Sequence, residues 1–248
     1  MTRLGKGLTM RPRPRWIGCV GVLLALAGGC RKETPSSVRE LNKLRGNTST
    51  TTIAHEAVAA EPPFHLEEGF ESLAFADFEA FGAEANTWAV TEEGLKCSGK
   101  PKGYLYSKQP YQNFTLRVDY RFPRPDNLKD ETKFKGNTGF LIHITGEHKL
   151  WPMCLEVQGK HVQIAAIKEN GGAEPVKAED DDVARQQARK PVGQWNRLEI
   201  VSKDGALAVS LNGTPISKCE PDFLSEGPIG IQAEDHPFEV RRIRMKRD

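Results

Sequence analysis

Between Gly146 and His161 the chain reads GEHKLWPMCLEVQGKH, which sets His148, Trp151, Glu156, Gln158 and His161 around a short apolar strand. A carboxylate and an imidazole can both move protons near neutral pH. An amide both donates and accepts hydrogen bonds, and an indole offers a flat apolar face. Alternation predicts that Glu156 and Gln158 share one face of a strand while Leu155 and Val157 occupy the other. The same pattern turns Phe140, Ile142 and Ile144 inward and puts His143 opposite them, where it joins Glu156 if the two strands are neighbours. Gln232 and Glu234 alternate onto one face as well, which makes a second carboxylate available. Asn137 stands in Gly-Asn-Thr-Gly, a turn-like setting.

Each of these residues has a plainer use. Glu156 could pair with a cross-strand Lys or Arg, and His143 could be satisfied by a neighbour. Gln158 and Gln232 could bridge strands, and Trp151 before Pro152 could plug a turn. Trp195, after Pro-Val-Gly-Gln, suits a core anchor. His148, His161 and His236 fall at loops or strand ends, where solvated histidines are common. No CxxC or His-x-x-x-His spacing suggests a structural zinc site.

The elements that must position these groups are strands. Phe114 to Phe122 alternates throughout, with Phe114, Leu116, Val118, Tyr120 and Phe122 facing a core and Thr115, Arg117, Asp119 and Arg121 facing water. Arg197–Val201 and Leu207–Leu211 flank Asp204-Gly205, a hairpin turn signal, and Asn212-Gly213 marks the next turn. Ile229–Gln232 and Phe238–Met245 follow, with a bulge expected between Val240 and Ile243. Short strands separated by turns predict an all-β sandwich. Asp180 to Arg189 alone reads as helical, and its charge makes it a surface excursion.

The ends bound the setting. Arg11, Arg13 and Arg15 precede the apolar run Trp16–Ala27, which is shorter than a spanning helix needs. Small residues then lead to Cys30, so residues 1–29 resemble a lipoprotein signal peptide and Cys30 a lipidation site. Arg31 after Cys30 favours an exported, outer-membrane-anchored protein, held to the membrane by its lipid. Removing residues 1–29, with five basic and no acidic residues, changes the formal charge from +2 to −3. Neither that balance nor the strand-like Val240–Arg247 cluster, read as a solvated face, indicates a nucleic-acid partner. Residues 30–63 are polar and read as a flexible tether; 64–248 form one domain. Cys97, Cys154 and Cys219 allow one disulfide and a spare.

Seven segments in order resemble one family: Gly99–Leu105, Asn113–Phe122, Gly136–Gly139, Trp151–Gln158, Pro191–Asn196, Leu211–Gly213 and Gly227–Gln232. Together they resemble the 3-keto-disaccharide hydrolase family across Glu67 to Lys246. The resemblance implies a concanavalin A-like jelly roll acting on glycosides oxidised at C3, with a carbohydrate partner. In such chemistry a base removes the C2 proton, an acid meets the leaving oxygen, and a donor or cation steadies the enolate. Glu156 is then the first candidate base. His143 could be the acid, the enolate stabiliser, or a ligand if a divalent cation supplies the charge; no cofactor beyond that is expected. Gln158, Trp151, Asn137, Gln232 and Glu234 are candidate substrate contacts. Relatives often carry an acidic residue soon after the Glu-x-Gln strand, where this chain has Gly159-Lys160-His161. A non-catalytic carbohydrate-binding module and a carboxylate-pair hydrolase of unoxidised glycosides are the competing readings.

Overall fold

The computed structural model describes residues 61–82, 84–220 and 223–248. The predicted leader, Cys30 and the tether up to residue 60 lie outside the described residues. Pro62–Asp248 is one compact unit. It is the expected all-β jelly roll, built from two antiparallel sheets.

The larger sheet has the order β10 (Ala178–Asp180), β13 (Thr214–Cys219), β12 (Ala206–Leu211), β11 (Asn196–Lys203), β6 (Phe114–Arg121), β15 (Phe238–Arg247), β4 (Gly94–Cys97) and β3 (Trp88–Thr91). β1 (Glu71–Ser72) pairs with β15 beside this path. The smaller sheet has the order β2 (Phe78–Phe81), β5 (Gly103–Ser107), β14 (Gly230–Ala233), β7 (Gly139–Thr145), β8 (Met153–Gln158) and β9 (Ile167–Asn170). Two of the hairpins are set by turn chemistry: Asp204-Gly205 and Asn212-Gly213 all have positive φ, as two-residue turns matching strand twist require. The one α-helix among the described residues, α1 (Asp182–Ala188), is capped by the Asp181 carboxylate on Ala184 N. Its Arg185 is buried, so this segment is less of a surface excursion than its charge suggests.

Between the sheets lie Phe114, Leu116, Val118 and Tyr120 of β6, Phe140 and Ile142 of β7, and Leu155 and Val157 of β8, all buried. Each such side chain contributes roughly 1.5–3 kcal/mol on leaving water, so this layer fixes the register of the strands that carry the polar residues. Tyr120 also crosses the core, donating its hydroxyl to Gly159 O at 2.8 Å. That bond holds the end of β8 against the larger sheet.

Four sequence expectations need correction. His143 has φ +57 at a register shift between Ile142 and Thr145. This bulge breaks the alternation, so His143 is in the interior and Ile144 packs with Leu141 and Cys154 on the opposite face. The outer face of β6 and β15 is not simply solvated. Asp119 is 3 % exposed and accepts from Arg197 Nε at 2.9 Å, with Arg241, Arg242 and Arg244 at 3.5–3.9 Å. Phe64 lies over the guanidinium groups of Arg242 and Arg244, and Glu67 pairs with Arg244 and Arg117. The chain's entry segment therefore roofs this face. Trp195 is not a core anchor; it is half-buried between the guanidinium groups of Arg121 and Arg241, at 4.4 and 4.0 Å. The expected bulge in β15 is present between Arg241 and Arg244. Cys97, Cys154 and Cys219 are buried and no disulfide joins any two of them, so the pair that the odd set allowed does not form among them.

Candidate functional site

The outer face of the smaller sheet collects the polar residues. Directly opposed residues of antiparallel strands share a face, which arranges this one in rows. One row runs Phe81, Tyr104 and Gln232, and continuing the β14–β7 register brings Gly139 and then Gln158 into line. The adjacent row runs Glu79, Tyr106, Gly230, Leu141, Glu156 and Lys168.

Glu156 does not stand straight up from its row. A methyl group built on Gly139 would lie 2.2 Å from Glu156 Oε1, so the carboxylate leans over Gly139 into space that no other residue would leave. There it lies between Gln158 and the side of the face that carries Gln232. Gln158 Oε1 accepts from Lys160 N at 3.0 Å. That contact anchors the Gln158 amide, which favours the ionised form of Glu156. Gln158, expected as a substrate contact, thus stands beside Glu156 with its amide oxygen committed to Lys160 N.

Glu234 follows β14 and is held from the side by Asn137, whose Nδ2 donates to Oε2 at 2.6 Å. Thr138 fixes the same loop by donating to Gln232 O at 2.7 Å, and Gly159 N bonds Thr138 O at 2.9 Å. Asn137, expected as a turn residue or ligand contact, therefore positions the second carboxylate. Asn137 Oδ1 and Gln232 Oε1 are buried with no hydrogen-bond partner among the described residues. Acceptors left unpaired in this way are costly unless something from outside donates to them.

The electrostatics single out the two carboxyls. Burial, reinforced by the charge of Glu234, pushes Glu156 up to about 7, against the opposing pull of Lys168 and Gln158. Glu234 is raised as well, first by burial and then by Asp235, while Lys102 works the other way. Cys154, two residues before Glu156, is no nucleophile, because burial pushes its thiol up to about 12. Among the described residues no three His, Cys, Asp or Glu side chains converge to hold a metal ion.

The remaining predicted residues divide. His143 lies in the core, its Nδ1–H donating to Leu224 O at 2.9 Å and its Nε2 3.2 Å from Ser202 Oγ. Burial lowers its pKa and keeps it neutral. It does not join Glu156. Trp151 is about a third exposed in the loop between β7 and β8, with Lys102 Nζ 5.9 Å from its ring centre. His161 is buried beside Glu131, contrary to the solvated setting expected.

Residues 70–246 match the family model of the 3-keto-alpha-glucoside-1,2-lyase-like domain. The chain belongs to this family. It is the family that the seven sequence segments resemble. Two crystal structures from Parabacteroides distasonis ATCC 8503, both provisionally assigned as glycosyl hydrolases, share the fold. One is 18 % identical with a TM-score of 0.53, covering 72 % of this chain and 99 % of its own. The other is 16 % identical with a TM-score of 0.51, covering 73 % and 97 %. No curated protein matches the chain. Within this family member, sequence reasoning missed Gly139, which read only as part of a turn, and Lys168. It also missed Tyr104 and Tyr106, although Tyr-Leu-Tyr is a visible period-two repeat.

Proposed function

We propose that the protein cleaves 3-keto-glycosides, with Glu156 as the base that removes the C2 proton and Glu234 as the acid that protonates the departing glycosidic oxygen. The observation that carries this reading is the buried carboxylate of Glu156 leaning over Gly139, paired with a second raised carboxyl beside amide oxygens that lack partners. A ketone at C3 makes the C2 proton acidic. Glu156 takes that proton, and the C–H electron pair passes into an enolate. Those electrons then form the C1–C2 double bond as the C1–O bond breaks, and the released oxygen takes its proton from Glu234. Water adding across C1–C2 afterwards gives the free 3-keto sugar. A base with a pKa near 7 is matched to this work at neutral pH. Gln232 and Asn137, with their unpaired oxygens, suit sugar hydroxyls.

The same pair of carboxyls favours a second reading, hydrolysis of an unoxidised glycoside by an acid and a base. Offering the purified protein the 3-keto and parent forms of one disaccharide separates the two. Release of the aglycone from the keto form alone is expected. Cleavage of the parent at a similar rate would replace the first reading with the second, and binding without cleavage of either would make the protein a binding module.

A further inference from the structure

The proposed reaction leaves one role without a residue. When Glu156 takes the C2 proton, negative charge leaves its carboxylate and gathers on the C3 oxygen of the sugar, where a fixed hydrogen-bond donor lowers the barrier. His143, a sequence candidate for that place, lies in the core. Other donors around the carboxyl pair are engaged: Asn137 Nδ2 with Glu234 at 2.6 Å, Lys102 Nζ with Asp235 at 2.7 Å, Lys168 Nζ with Gln163 at 2.9 Å and Tyr104 OH with His148 at 2.8 Å. The charge of Lys160 acts on Glu234, the proposed acid.

Gln158 is differently placed. It is directly paired with Gly139 across β7 and β8, so the two share a face. Directly paired side chains begin roughly 5 Å apart, and the Glu156 carboxylate fills the place where a Gly139 side chain would begin. A glutamine side chain can span that gap. Its orientation is fixed by the main chain: Lys160 N donates to Gln158 Oε1 at 3.0 Å, and an N–H can be met only by the oxygen end of an amide. The amide therefore cannot turn over, and Nε2 is the end left for another acceptor. Its effect on Glu156 has the sign of a donor, since it favours the carboxylate over the carboxylic acid. At 7 % exposure the amide is screened from bulk water, which strengthens such a bond.

From this arrangement we infer that Gln158 is the oxyanion donor of the reaction, its Nε2–H bonding the C3 oxygen as the enolate forms. The inference rests on the proposed function for the identity of the base and goes beyond it in giving the enolate a partner. As Glu156 takes the proton, the C2–H electron pair forms the C2–C3 double bond and the carbonyl π pair moves onto the C3 oxygen. Gln158 gives up no proton. The donor that favoured the carboxylate turns to the new anion, so the charge moves between two acceptors of one amide. When the C3 carbonyl re-forms, the C2–C3 pair becomes the C1–C2 double bond and the C1 oxygen leaves with the C1–O pair.

The test isolates proton removal from cleavage. A 3-keto sugar analogue with hydrogen in place of the glycosidic oxygen has no aglycone to lose, and NMR in deuterium oxide should show the parent protein exchanging its C2 proton. Gln158→Leu and Gln158→Glu are compared with the parent at the plateau of each pH profile. The first removes both ends of the amide; the second keeps an oxygen for Lys160 N and removes the donor. Exchange at saturation should slow roughly 100-fold in both, the cost of one oxyanion donor, while calorimetric affinity for the analogue changes less than about 3-fold. Should Gln158→Leu fail to fold, Gln158→Glu decides alone, because it keeps the anchor. Near-parent exchange in Gln158→Glu would reduce Gln158 to an anchor for the turn at Lys160, and weaker binding with unchanged exchange would make it an ordinary substrate contact. Either result overturns the inference and spares the proposed function. If the parent exchanges no C2 proton, the proposed base chemistry falls and the inference with it.

Discussion

At the scale of single residues, the site depends on a group that is missing. Gly139 has no side chain, and the Glu156 carboxylate occupies the place where one would be. Gly139→Ala leaves every donor and acceptor of the site in the sequence yet must displace the carboxylate by more than an ångström. Turnover is expected to fall about 100-fold, the cost of that much misplacement, with the circular dichroism unchanged. Glu156→Gln keeps the shape and removes the proposed base, so turnover should fall by two or more orders of magnitude. In the parent protein kcat/KM should rise with pH through about 7 as Glu156 ionises, and a folded Glu156→Gln variant with near-normal turnover would take Glu156 out of the mechanism. Glu156 was legible in the sequence because alternation gives its face unambiguously. The roles of Gln158 and Asn137 were not, because both depend on which neighbour their amide meets, and that is decided by loops that follow no period.

At the scale of elements, regular strands were readable and irregular ones were not. The alternation of β6 assigns its four inward residues, and Phe122 just past its end, correctly, since each is held by a continuous core. In β7 one positive φ at His143 reverses the order, and nothing in Phe-Leu-Ile-His-Ile marks it. The β15 bulge was visible because two arginines interrupt its apolar period. His143→Ala supplies a direct check on the corrected placement. Loss of a buried ring and its bond to Leu224 O should destabilise the fold by about 2–4 kcal/mol in urea titration. Turnover per folded molecule should stay within about 3-fold of the parent; a loss as large as that of Glu156→Gln would return His143 to the chemistry. The outer face of the larger sheet shows a different limit. Its charges alternate as a solvated face should, yet the distant segment at Phe64 and Glu67 covers part of them and Trp195 another part.

At the scale of the whole molecule, buried titratable groups set opposing pH dependences. Glu156 titrates near 7 when folded and near 4.5 ordinarily, so between those values the folded state holds a proton that the unfolded chain has lost. Stability therefore declines as pH rises through that window, by up to about 3 kcal/mol. His161 is lowered by burial from 6.5 to about 4, so the unfolded chain holds the extra proton and stability declines as pH falls from 6.5 to 4, by a similar amount. Across the shared interval the two nearly offset. Glu156→Gln removes one of them: its melting temperature should rise with pH from 4.5 to 6.5 where that of the parent stays nearly level, and above pH 7 the variant should be the more stable protein. A variant whose melting curve parallels that of the parent would show that Glu156 is not held in its raised state. Lower still, Arg244 holds Glu67 at about 2, and that support is lost as pH falls from 4.5 toward 2. The roof that Phe64 and Glu67 make also fixes an orientation. The described chain enters across the outer face of the larger sheet and ends on β15 of that sheet, whereas Glu156 is on the outer face of the other. Captured on a bead or sensor chip through the Phe64–Glu67 side, the domain would turn the Glu156 face to the liquid, where even an insoluble glycan could reach it.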